Sequence, residues 1–96
     1  MLVLTSIHAT SVEVSDDTLT VQLSDGRTIA APLAWYPRLA HGSKVECNVI
    51  KLIANDKGIH WPQLDEDISV DNLLNGRRSM ESQQSLKKWL ETRKSA

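Results

Sequence analysis

His60 stands five residues before Asp65, with Glu66 and Asp67 adjoining. A histidine beside carboxylates is a set that can hold a divalent metal or move protons. No second histidine is near it, and three consecutive acids point in different directions on any regular backbone. The preferred reading is a structural turn in which His60 bonds the backbone. The acids then favour the positive N-terminus of a following helix. No catalytic residue, metal or cofactor is assigned, and the His60 ring is expected to be fixed by hydrogen bonds. An enzyme, hydrolytic or metal-dependent, at His60, Asp65 and Asp67 ranks third among the functions considered. Cys47 with His41 has the residue types of a thiol nucleophile and its base. Their spacing matches no such motif, and Cys47 lies between Val45 and Val49, so it reads as a small buried hydrophobe.

Two further groups suit binding. Trp35-Tyr36-Pro37-Arg38 places two aromatics, a proline and an arginine in one loop; such residues are frequent in binding hot spots, and they also seal the edges of small cores, the reading slightly preferred for them. Pro37 and Pro62 each end regular structure beside an aromatic, Tyr36 and Trp61. The 34–39 loop and the 60–67 turn are therefore expected side by side. Together they form a protein-binding patch of Trp35, Tyr36, Arg38, His60, Trp61, Asp65, Glu66 and Asp67. A core this small is expected to leave some of that aromatic surface exposed. Arg77, Arg78, Lys87 and Lys88 surround a short helix, a turn and a longer helix, an order that DNA readers use. The first helix is barely two turns, and Trp89 and Leu90 need burial, so DNA binding ranks second.

The elements that must position these residues are legible in part. Val12 and Val14, then Leu19, Val21 and Leu23, alternate with polar neighbours as strands do. Ser15-Asp16-Asp17 is the turn between them. A three-residue loop at Ser24-Asp25-Gly26 pairs Val21 with Ile29 and Leu19 with Ala31, burying both sets on one face. A two-residue turn would put them on opposite faces. The longer loop needs Gly26 at positive φ. Leu2 and Leu4 share parity with Val12 and Val14, whereas Ile7 and Ala9 do not, so a bend or bulge is expected between them. Ser43 caps a helix to about Asn48, and 49–54 with 58–61 form a hairpin around Asn55-Asp56-Lys57. Asp67 or Ser69 caps a helix carrying Val70, Leu73 and Leu74, which Asn75-Gly76 ends. Ser79 caps a last helix over about 80–93, with Leu86, Trp89 and Leu90 as its apolar stripe, joined by Met80 or Gln83.

The fold class is α+β: a small antiparallel sheet of about 4–5 strands, short helices and a packed C-terminal helix. The chain's 96 residues suit one domain, with a core over about 9–76 and the helix over about 79–94. No apolar run is long enough for a membrane span, Met1-Leu2-Val3-Leu4 is too short for a secretory signal, and the lone Cys47 suits a cytoplasmic location. Residues 1–76 carry a net charge of −5 and residues 77–96 a net +4. The tail is expected to lie on the body and neutralise it.

Taken together, Leu19–Arg27, Pro32-Leu33-Ala34-Trp35-Tyr36-Pro37-Arg38-Leu39 and the run Gly58-Ile59-His60-Trp61-Pro62-Gln63-Leu64-Asp65-Glu66-Asp67-Ile68-Ser69-Val70 resemble a small bacterial family. It is the domain-of-unknown-function family numbered twenty-four forty-two. The resemblance extends from about residue 9 to residue 93 and departs most at 44–49. It implies a compact α+β domain without established catalysis, and it carries no active-site residues over. Its members often lie beside a second small gene in toxin–antitoxin-like pairs on mobile DNA. The expectation is a non-enzymatic, antitoxin-like interaction module whose partner is a small protein. A second copy of the chain is a further candidate partner.

Overall fold

The computed structural model describes residues 7–94. Among the described residues, six strands form two separate three-stranded antiparallel sheets, ordered β1-β2-β3 and β4-β5-β6. The class is the expected α+β, with one sheet and one or two strands more than anticipated.

The first sheet comprises β1 (Ala9–Val14), β2 (Thr18–Leu23) and β3 (Thr28–Pro32). Leu19 pairs with Ala31 and Val21 with Ile29, the register that buries both apolar sets together. Gly26 has φ +94°, and the loop closes through Leu23 N–H to Arg27 C=O (2.8 Å) and Gly26 N–H to Leu23 C=O (3.1 Å). In β1 the register shifts between Ala9 and Ser11, so Thr10 is the extra residue of a bulge. The bulge resolves the parity conflict. It sets Ala9 opposite Leu23 on the core face that Val12 and Val14 also share. Leu2 and Leu4 lie outside the described residues.

The second sheet comprises β4 (Lys51–Ile53), β5 (Gly58–Trp61) and β6 (Glu66–Ser69). The hairpin at 54–57 is as expected, but β6 replaces the turn read into the acids. Asp65, at φ +51°, completes the reversal after Pro62, and Ile68 comes to lie opposite Ile59. Leu52, Ile59 and Ile68 share the inner face, whereas Lys51, His60 and Asp67 share the outer one.

Short helices close the core between the sheets. In α1 (Pro37–His41), Pro37 takes the first turn, where a missing N–H costs nothing. In α2 (Lys44–Asn48), Ser43 and Glu46 form a reciprocal capping box. Ser69 caps α3 (Val70–Leu74), and Gly76 follows it at φ +67°. The last helix, α4 (Gln83–Lys94), begins later than expected. Its first turn is held by Ser82, whose Oγ accepts the Ser85 N–H (3.0 Å). Ser79 instead ties the linker to the body through its N–H to the Trp35 carbonyl (3.0 Å). Met80, 96% exposed, takes no part in the apolar stripe. Leu19, Val21, Leu39, Ile59, Trp61, Leu64 and Val70 form the innermost core.

Candidate functional site

The 34–39 and 60–67 segments do meet, and Arg38 joins them. Its Nη1 donates to the carbonyls of Leu64 (3.4 Å) and Asp65 (3.1 Å) and lies 3.6 Å from the Asp65 carboxylate. Of the three aromatics expected in the patch, Trp35 alone keeps part of its surface exposed. Tyr36 and Trp61 are buried, at 3% and 0% exposure. Each polar tip finds a backbone acceptor inside: Trp61 Nε1–H donates to Cys47 C=O (3.0 Å) and Tyr36 O–H to Arg77 C=O (3.3 Å). An amphipathic ring so satisfied can be buried without an unpaired polar atom. Trp35 is only half-buried, and the Arg78 guanidinium stacks on it at 4.8 Å.

The three acids diverge as their succession requires. Asp65 sits in the turn, its side chain 89% exposed beside Arg38. Glu66 shares a sheet face with Ile68, opposite Trp61. Burial raises its carboxyl above the ordinary value, against the pull of the Asp67 N–H (3.0 Å) and Arg38. Asp67 faces outward and bonds His60 Nδ1 across the β5–β6 pair. His60 is therefore held as expected, but by a carboxylate rather than by backbone. Asp65 does not join that pair, so the triplet His60, Asp65 and Asp67 is not one constellation. Cys47 is buried, its thiol pushed up chiefly by burial and bonded to Leu39 C=O (3.4 Å), while His41 is exposed. Among the described residues, no three of His, Cys, Asp or Glu gather as a metal site, and no helix is long and apolar enough to cross a membrane.

A cleft of about 370 Å³ opens between β6 and the linker that follows α3. Asp65, Glu66 and Asp67 line one side, with Arg77, Arg78 and Met80 on the linker. Arg77 and Arg78 thus border the same space as the acids, which their separation in sequence conceals. Tyr36 and Arg38 also line it.

Four residues outside the sequence-based set organise this region. Glu81 takes the other edge of Arg38, through Nε (2.8 Å to Oε1) and Nη2 (2.7 Å to Oε2), and also accepts from Ser85 Oγ (2.8 Å). The Arg38 side chain is 15% exposed and that of Glu81 9%. Glu46 pairs bidentately with Arg93 at 2.7 and 2.9 Å. The Arg93 guanidinium beside Glu46 holds its carboxyl down to about 2, helped by the Ser43 N–H. Two guanidinium groups lie against the Trp89 ring, Arg38 at 5.0 Å and Arg93 at 4.7 Å. The two arginine–glutamate pairs span more than 40 residues, so no local pattern announces them. The tail does lie on the body. Of its bases, Arg93 neutralises an acid there, and Lys87 and Lys88 stay exposed.

No curated protein matches the chain. A crystal structure at 2.75 Å resolution of a protein of unknown function from Rhodospirillum rubrum ATCC 11170 has the same fold. The TM-score is 0.68 at 24% identity, over 80% of this chain and 95% of that one. The family described as "Protein of unknown function (DUF2442)" matches residues 9–79, which hold both sheets and one full side of the cleft. The chain belongs to that family.

Proposed function

We propose that the chain is a non-enzymatic, cytoplasmic protein-interaction module, an antitoxin-like partner of a small toxin-type protein encoded on mobile DNA. The observation that carries the interaction reading is the cleft between β6 and the linker. Opposite charges line it, and Met80, a large apolar side chain 96% exposed, stands on its rim. Methionine and arginine within a charged border are the composition of protein interfaces. Facing charges of both signs favour a partner with a matching alternation, because like-charge contacts are costly. The antitoxin-like part rests on the gene neighbourhoods implied by the family resemblance.

Co-expression with the product of the adjacent small reading frame tests this. The expected result is a stoichiometric complex that co-elutes. Met80→Ser and Arg77→Glu should each weaken it by about tenfold, equivalent to about 1.4 kcal/mol. Failure of the two proteins to associate, at low salt and at high concentration, rejects the reading. Retention on duplex DNA that falls steeply with salt, and vanishes when Arg77, Arg78, Lys87 and Lys88 are reversed in charge, would favour a DNA-binding regulator instead.

A further inference from the structure

Arg38 belongs to the family-matched segment, 9–79, whereas its carboxylate partner, Glu81, lies just beyond it. The body holds one edge of the guanidinium, and Trp89 of α4 lies against its face at 5.0 Å. Nη1 is tied to the carbonyls of Leu64 and Asp65, which leaves the Nε–Nη2 edge for a carboxylate. That edge has the fork geometry that matches a carboxylate with two parallel bonds. Glu81 occupies it from a linker that is attached to the body through Ser79 and leads into α4, a helix in which residues 83–93 include none that is fully buried. We propose that Arg38 is a carboxylate receptor built into the domain, that Glu81 fills it as an internal stand-in, and that an acidic side chain of the partner protein displaces Glu81. The proposal rests on the interaction reading for the identity of the partner.

The geometry accounts for the specificity. Asp65 and Glu66 border Arg38 on the sheet side, and Arg77 and Arg78 line the same cleft from the linker. An incoming group must therefore be a planar monoanion that enters along the outer edge. A compact dianion would meet the acids on the inner side. Glu81 competes at the high effective concentration that a short tether gives, so the intact chain takes up a free carboxylate poorly.

The experiment follows the Arg38 Nε–Hε resonance by NMR in the full chain and in Glu81→Ala. Acetate is titrated against chloride of equal ionic strength, and inorganic phosphate is added in a parallel series. The expected result is a saturable acetate shift in Glu81→Ala that is absent from the intact chain and lost when Arg38→Lys is added. The amide spectrum of residues 9–76 should stay in place. Glu81→Gln, which keeps the volume and one hydrogen bond, decides the matter if Glu81→Ala does not fold. An acetate response equal to that of chloride overturns the receptor. A phosphate shift without an acetate shift overturns the carboxylate assignment, and collapse of the body amides in both variants makes Glu81 a structural brace. This titration needs no partner, so it fails separately from the interaction reading. With a partner in hand, Glu81→Ala should bind it more tightly, and equal or weaker binding overturns the displacement.

Discussion

At Gly26 a φ of +94° closes the β2–β3 loop, and a Cβ built there meets no atom within 4 Å. Space is not the constraint, so a substitution costs only the left-handed backbone. Gly26→Val should lower stability by about 1–2 kcal/mol in a denaturant titration, without altering the contacts around it. This register was legible because only one loop length brings the apolar sets of both strands to one face. For Tyr36 the sequence slightly preferred a core position but did not show the partner that permits it. Its burial depends on the Arg77 carbonyl, 41 residues away, accepting its hydroxyl. Tyr36→Phe should cost about 1 kcal/mol and loosen the linker, read as faster amide exchange at Arg77 and Ser79. The sequence likewise suggested a held His60, but Asp67 could become its partner only once β6 existed.

Among the elements, β6 and α4 departed most from expectation, for different reasons. In β6 the acids hide the alternation, leaving Ile68 as its single buried apolar residue. The positive φ of Asp65 that starts the strand has no glycine to signal it. In α4 the stripe holds at Leu86, Trp89 and Leu90, only half-buried, but neither Met80 nor Gln83 joins it, and two arginine–glutamate pairs complete the docking. Those pairs make the docking acid-sensitive. The Glu46 carboxyl, ordinarily near 4.5, stands at about 2 when paired, and that of Glu81 is lowered too, chiefly by Arg38. A carboxyl depressed by docking binds protons more readily when released. Docking strength is thus full above about pH 4.5 and is lost as the pH falls towards 2. Amide exchange in residues 83–94 should accelerate across that window ahead of exchange in β2 and β5. In Glu46→Gln it should already be faster at neutral pH. Equal exchange in helix and strands across the window would contradict this.

Across the whole molecule, the two sheets are stitched by one hairpin turn. Ala54, Asn55 and Asp56 all have positive φ, which turns the Asp56 carbonyl to the Ala9 N–H (2.8 Å). The adjacent Lys57 carbonyl accepts the Val70 N–H (2.8 Å). Trp61, with no exposed surface, reaches from the second sheet to α2 through the Cys47 carbonyl. Trp61→Ala should cost about 3–5 kcal/mol, a large share of the 5–15 kcal/mol typical of a domain. Both sheets should then lose amide protection at the same, lower denaturant concentration. The single-domain reading of the sequence requires that joint loss, and sheets that melted separately would refute it. The placing of the tryptophans gives this molecule its own optical record of such events. Trp61 is sealed in the core, whereas Trp35 and Trp89 are half-exposed beside cations at the edge of the body. Their emission should therefore separate into a blue band insensitive to iodide and a redder band that iodide quenches. The second band should change first on acidification, so one cuvette distinguishes a detached helix from an unfolded chain.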